Sequence, residues 1–330
     1  LYLYPLSDLE NSEIFITTSS SDVLKLSNTK NVVVSGFDIN VSGSYGVNLS
    51  GSRSIVQKCN VRNCSSGAVR LNGINCGLLS NKLSGNVWML TPGNNIAFTE
   101  YKPTRNFAQN NIVQGTLQDN YGYQSVVSHN LITGSNNHAL YSNRCIESIY
   151  EYNEIVGGPN VNIDAGMIYN GGGLIARNNH FRYNFLNRAT DTIRKNPRGV
   201  YIDDMTSYAF AYGNIMLEAN CFIHGGSECV FYNNLIIDNN SQTASFTNSD
   251  NYQITKPRWS GMIISDNDTR WFGQERSVYF QDWITRYIYD YQYHTSFMKH
   301  KHEYDSAGYT TDNDDYGKWV ASPKYNYYAN

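Results

Sequence analysis

Charge is scarce in this chain. Asp, Glu, Lys and Arg make up 16% of its 330 residues, and the net charge is −3. No basic stripe stands out, so a nucleic-acid partner is not expected. No run of about 18 apolar residues occurs, which argues against a helical membrane span. The six cysteines (Cys59, Cys64, Cys76, Cys145, Cys221 and Cys229) have no C-x-x-C spacing, so no zinc site is expected. They read as small buried apolar residues, with a Cys221–Cys229 disulfide as the alternative. The opening Leu1-Tyr2-Leu3-Tyr4-Pro5 lacks the charged n-region and long apolar core of a signal peptide. It reads as the middle of a strand, and the expectation is a chain cut from something longer. Helical spacing is missing until residue 277.

Asparagine is what the chain has in abundance, with 34 of its 42 copies between residues 31 and 240. Asn60, Asn81, Asn111, Asn130, Asn153, Asn179, Asn214 and Asn234 each stand beside or one residue before an apolar residue, at successive gaps of 21, 30, 19, 23, 26, 35 and 20 residues. A period of about 20 to 25 residues is too short for a domain and suits one coil of a parallel β-solenoid. No such coil buries its own apolar face, so neighbours must stack. Asn suits the turn because its amide tolerates the left-handed region and can bond the Asn of the next coil. The expected fold is all-β, a right-handed parallel β-helix over residues 1–245.

Short alternations support it: Leu1 and Leu3, Ile14 and Ile16, then Val32-Val33-Val34, Gly46-Val47-Asn48-Leu49 and Ile55-Val56. The wide gaps predict loops leaving the coil, one from Val87 to Gly93 and one from Phe185 to Pro197. Loops on a rigid scaffold carry function. From Ser277 the spacing changes to three and four, with Phe280, Trp283, Ile284, Tyr287, Ile288 and Tyr291. That pattern predicts an amphipathic helix over about 277–298, within a C-terminal extension 246–330, packed on the solenoid and covering a flank or open end.

Three consecutive coils hold the candidate chemistry: Asn137-His138-Ala139-Leu140-Tyr141, Ile163-Asp164-Ala165-Gly166-Met167-Ile168-Tyr169 and Gly199-Val200-Tyr201-Ile202-Asp203-Asp204. Cys221-Phe222-Ile223-His224 follows. His138 and Asp164 each lie 15 residues before the next Asn of the series, and Asp203 lies 11 before its own. Neighbouring rungs are about 4.8 Å apart, so these groups are expected in one polar column on one face. Two carboxylates at such spacing suit glycoside hydrolysis, in which one protonates the leaving oxygen and the other attacks the sugar or activates water. Proximity also splits their pKa values. The bland alternative is that Asp at strand ends caps backbone amides. His138 and His224 face the column, where they would bond a sugar hydroxyl or orient a carboxylate. Tyr169 and Tyr201 are either core stackers or subsite walls. His129 reads as a structural turn residue. His294, His300 and His302 form no clear metal set, and Gly171-Gly172-Gly173 lacks the strand-to-helix context of a phosphate loop. No cofactor is expected.

A series of stretches carries a resemblance: Leu1-Tyr-Leu-Tyr-Pro-Leu-Ser-Asp-Leu9, Leu90-Thr-Pro-Gly-Asn-Asn-Ile-Ala97, Ser128-His-Asn-Leu-Ile-Thr-Gly134, Glu151-Tyr-Asn-Glu-Ile155, Asp164-Ala-Gly-Met-Ile-Tyr169, Arg198-Gly-Val-Tyr-Ile-Asp-Asp204 and Phe222-Ile-His-Gly-Gly226. In this order they resemble the right-handed parallel β-helix proteins of secreted bacterial carbohydrate metabolism, nearest to glycoside hydrolase family 141. The resemblance spans roughly residues 1 to 245. It implies a secreted or periplasmic hydrolase acting on a polysaccharide or oligosaccharide. It also implies that Asp164 pairs catalytically with Asp203 or Asp204, with His138, Tyr169, Tyr201, His224 and Arg198 at the sugar. Two places depart from the pattern. Ile163 precedes Asp164 where relatives usually show a second acid, and Asn170-Gly171-Gly172-Gly173-Leu174 stands where they usually carry Gly-Arg-Asp-Trp.

Two other readings stay open. A polysaccharide lyase on the same scaffold would draw on Arg144, Arg188, Arg194 or Lys195, although no dense acidic calcium pocket is evident. A non-catalytic, glycan-binding or structural solenoid would bury its Asp side chains against backbone amides.

Overall fold

Three parallel sheets wind around one elongated core in a computed structural model that describes residues 19–90, 103–158, 164–172, 176–188, 198–203, 206, 208–223, 229–237 and 327–328. Every pairing between strands is parallel, and each strand pairs with its counterpart one coil before and after. Sheets A and C have nine strands each and sheet B has ten. One coil runs A, B, C. For example, Leu117–Asn120 lies in sheet A, Val126–Ser128 in B and Leu131–Thr133 in C. The chain is thus a right-handed parallel β-helix, the hand that crossovers between parallel strands adopt.

The strands in sheets B and C are mostly three residues long because one inward side chain per rung fills a narrow core. The inner column of sheet B includes Val56, Leu78, Ala108, Val127, Tyr150 and Phe181, with residues of sheet C such as Val61, Val113, Ile132, Ile155 and Leu186 opposite. Tyr150 stacks on Phe181 at 5.0 Å between centroids. No rung could bury these groups alone; each is covered by the rungs above and below.

The turn from sheet B to sheet C holds the asparagine ladder. Its members are Asn81, Asn111, Asn130, Asn153, Asn184, Asn214 and Asn234. Asn130 shows the unit. Its Nδ2 donates to Ala108 O and to Asn153 Oδ1, both at 2.9 Å, while its Oδ1 accepts from the backbone N–H and the side chain of Asn111. All four hydrogen-bonding positions of a buried amide are filled.

Two expected members belong elsewhere. Cys59 holds the ladder position in its rung, giving its backbone N–H to Asn81 Oδ1, while Asn60 points outward to Asp38. Asn179 braces the other corner, from sheet A to B, accepting from Ser148 N and donating to Cys145 O. Asn106 does the same for Cys76 N and Gly73 O. The left-handed conformation also falls on the residue before the ladder Asn, including Asn110, His129, Tyr152, Tyr183 and Asn233.

Val87–Leu90 is a regular sheet A strand and Phe185–Asn187 a sheet C strand, so these parts of the two expected excursions stay in the coil, and residues 91–93 and 189–197 lie outside the described residues. All six cysteines are free, and five are buried. Tyr327–Tyr328 adds a strand to sheet B, pairing with Val230 and Phe231. The expected helix over 277–298, the opening strand at Leu1–Pro5 and His294, His300 and His302 lie outside the described residues. Among the described residues, no helix is long and apolar enough to cross a membrane.

Candidate active site on the outer face of sheet A

Sheet A is buried on both faces in its later rungs, Tyr169 being 7% and Tyr201 1% exposed. In Leu140–Asn143, Ile168–Gly171 and Arg198–Ile202, the side chains of Leu140, Ile168 and Val200 point inward, leaving Tyr141, Tyr169 and Tyr201 on the outer face in one register column. Phe222 continues that column in the next rung.

The two described carboxylates meet at this tyrosine column. Asp164 Oδ1 accepts from Arg198 Nη1 at 2.5 Å and from the Tyr201 hydroxyl at 3.2 Å. Tyr169 donates its hydroxyl to Asp203 Oδ2 at 2.9 Å. Burial, with the negative charge of Asp203 adding to it, pushes the Tyr201 phenol far above its ordinary range, so it stays protonated. The two acids differ in setting: Asp164 has 69% of its side chain exposed, whereas Asp203 is 7% exposed.

Arg198 is held flat between rings, 4.2 Å from the Tyr201 centroid and 4.3 Å from that of Phe222. His138 covers the other end of the column. Its ring stacks on Tyr141 at 5.0 Å and on Tyr169 at 4.1 Å, and its Nδ1 accepts the backbone N–H of Gly166 at 3.2 Å. Two glycines make the arrangement possible. A Cβ on Gly166 would stand 2.7 Å from Tyr201 Cβ, and one on Gly171 would stand 2.5 Å from the Tyr169 ring, over which that phenol leans toward Asp203.

His138, Asp164, Tyr169, Arg198, Tyr201 and Asp203 therefore come together, but not in the one column that the spacing of His138, Asp164 and Asp203 predicts. The strand register places His138 level with Gly166, so Asp164 lies two residues further back, and Asp203 is level with Asn143 and Gly171. The counting frame had slipped because Asn179, used as the ladder mark for Asp164, sits at the other corner. Asp204 and His224 lie outside the described residues. Tyr141 and Phe222 were not among the expected contacts, although their place in the alternation beside Tyr169 and Tyr201 would have revealed them.

Among the described residues, no group of three or more His, Cys, Asp or Glu could hold a metal ion. Of the arginines a lyase would need, Arg144 bonds and stacks on Tyr121, and Arg188 is buried. No protein-family model matches this chain, and no curated protein is similar to it.

Proposed function

We propose that the chain is a glycoside hydrolase of the extracytoplasmic, polysaccharide-degrading kind, with Asp164 and Asp203 as its carboxylate pair. One observation carries the reading: two carboxylates from different rungs reach neighbouring phenols of one column, Asp164 that of Tyr201 and Asp203 that of Tyr169, whose rings lie 5.1 Å apart. The settings suit different roles. Asp203, buried beneath Tyr169 and Tyr201, is placed as the acid, and Asp164, exposed and ion-paired with Arg198, as the group that activates water or attacks. Tyr141 and His138, both half-buried, offer an aromatic wall to a sugar ring.

A purely capping role for the acids fits less well, since both carboxylates reach the side chains of Arg198, Tyr169 and Tyr201. The experiment is release of reducing ends from a panel of purified neutral and uronate polysaccharides. Asp164→Asn and Asp203→Asn should each abolish release while the melting temperature stays near that of the wild type. Unchanged release in either variant, or loss of the fold, would refute the assignment. A rise in absorbance near 235 nm on uronate polymers would favour a lyase.

A further inference from the structure

The outer face of sheet B is concave over four rungs. Its outward row reads Phe107, Val126, Ile149 and His180 in register. Phe107 leans away over Gly77, where a Cβ would stand 2.0 Å from its Cζ. At the other end His180 stacks on Phe210 at 4.9 Å. The two rings thus close off a trough whose middle rungs carry only the shorter Val126 and Ile149. A cleft of about 620 Å³ fills that trough, a size within the range of small-molecule sites.

A polar row runs along one edge, at the corner with sheet A. Arg105 Nε donates to Gln124 Oε1 at 3.4 Å, and Gln124 Nε2 donates to Glu147 Oε2 at 3.1 Å. These bonds leave the terminal nitrogens of Arg105, one N–H of Gln124 and one oxygen of Glu147 uncommitted along the cleft. The row offers both donors and an acceptor, and among the described residues its one cation and one anion cancel. His180 adds no charge, because burial, with the Arg182 charge adding to it, lowers its pKa.

We propose that this cleft is a second carbohydrate site, which holds a neutral glycan lengthwise along the solenoid. Sugar rings present C–H faces that suit Phe107, Val126 and Ile149, and hydroxyls at their edges that suit Arg105, Gln124 and Glu147. Rungs repeat about every 4.8 Å, close to the advance of one sugar residue along an extended glycan. Successive residues of the polymer therefore meet the same pair of rows. A fatty chain would leave the polar row unpaired, and an anionic polymer would meet Glu147 with no surplus cation. The cleft is separate from the acids on sheet A but belongs to the same coils, since Val126, Ile149 and His180 follow the strands Leu117–Asn120, Leu140–Asn143 and Ile168–Gly171. The inference goes beyond the hydrolase reading and stands without it.

Affinity electrophoresis of the full chain tests this, with hydroxyethylcellulose, arabinoxylan, galactomannan or polygalacturonate cast into native gels and each mobility referred to a gel without polymer. Ile149→Arg puts a long charged side chain into the cleft and should abolish retardation by whichever neutral polymer slows the wild type. Gln124→Ala removes one hydrogen-bonding partner and should weaken that retardation by about 5-fold. Ile112→Arg is the control. It adds the same charge on the outer face of sheet C, where Ile112 is 45% exposed, and should leave retardation as in the wild type. Melting temperature reports whether each variant folds, and Gln124→Ala decides if Ile149→Arg does not. No retardation by any neutral polymer, retardation by polygalacturonate alone, or wild-type retardation of Gln124→Ala would each overturn the site. Failure of the hydrolase reading shows instead as no release of reducing ends, and these mobilities still decide the cleft.

Discussion

Inside the solenoid, Tyr150 of sheet B donates its hydroxyl to Asp119 of sheet A at 2.9 Å. Asp119 is 2% exposed, and its Oδ1 is buried with no partner at hydrogen-bonding geometry, as is Ser125 Oγ. Both occupy space that a Cβ on Gly122 would fill. A protonated Asp119 donating to Ser125 would satisfy both atoms, and burial accordingly pushes this carboxyl up to about 6, against the opposing hydrogen bond of Tyr150.

The sign of the pH dependence follows. The unfolded chain releases this proton near pH 3.9 and the folded chain only near 6, so between those values the folded state binds more protons. Stability contributed by the group is present below about pH 4 and is lost as pH rises through 6, by about 3 kcal/mol. Asp119→Asn, neutral and nearly isosteric, should match the wild type at pH 4 and exceed it at pH 8 by up to about 3 kcal/mol. Urea midpoints of the two proteins at both pH values check this. A constant difference across pH would show that Asp119 is ionised in the fold.

Asn130 sits in the middle of the ladder with all four hydrogen bonds made. Replacing it with Ala removes the side-chain partner of Asn111 N and of Ala108 O, and one of the two bonds made by Asn111 Nδ2 and by Asn153 Oδ1. The expected loss is about 3–5 kcal/mol. Asn60→Ala is the control. That residue makes one exposed, long contact of 3.4 Å to Asp38, and its loss should cost less than about 0.5 kcal/mol. Equal effects in chemical denaturation would mean that the ladder carries no special share of the stability.

The contrast between Asn130 and Asn60 also shows how far the sequence could be read. Alternating apolar residues and recurrent Asn made the parallel solenoid legible, because both follow from one inward side chain and one buried turn per rung. The register was less legible. Cys59 fills the ladder site of an early rung, and Asn106 and Asn179 brace a second corner, so a count of asparagines mixes two columns. Asp164 and Asp203 were legible as a pair because their strands carry recognisable runs. Their separate phenol partners, Tyr201 for Asp164 and Tyr169 for Asp203, were not, since these depend on which way two phenols lean. Asp119, within Gln118-Asp119-Asn120, reads as surface in the sequence and is buried only because the strand alternation turns it inward.

Lys58 tests a cost that local geometry imposes. It occupies the left-handed position before the ladder site, with φ of 52°, where other rungs place Asn110, Gly213 or Asn233. A long side chain pays a steric penalty there that Asn and Gly largely escape. Lys58→Asn should raise stability by about 0.5–1 kcal/mol without touching any packed group. A fall in the urea midpoint would show that the lysine makes a contact worth more than the strain it carries.

Gly171→Ala separates the site from the scaffold. Gly171 has an ordinary negative φ, so Ala is not strained by its backbone. Its new methyl would stand 2.5 Å from Tyr169 Cε1 and 2.6 Å from the phenol oxygen. The ring must swing aside, and swinging aside withdraws the donor that Asp203 Oδ2 now accepts at 2.9 Å. The ring lies on the outer face, so the core rungs of Ile168 and Asn170 are not disturbed, and the stability loss should stay near 1–2 kcal/mol, about the scale of a modest overpacking. Turnover should fall much further, by about 100-fold, if Tyr169 positions the buried acid. Tyr169→Phe then supplies the comparison: it removes the same hydrogen bond without moving the ring, and the two variants should lose activity alike. A fully active Gly171→Ala protein would show that the contact between Tyr169 and Asp203 has no part in the chemistry.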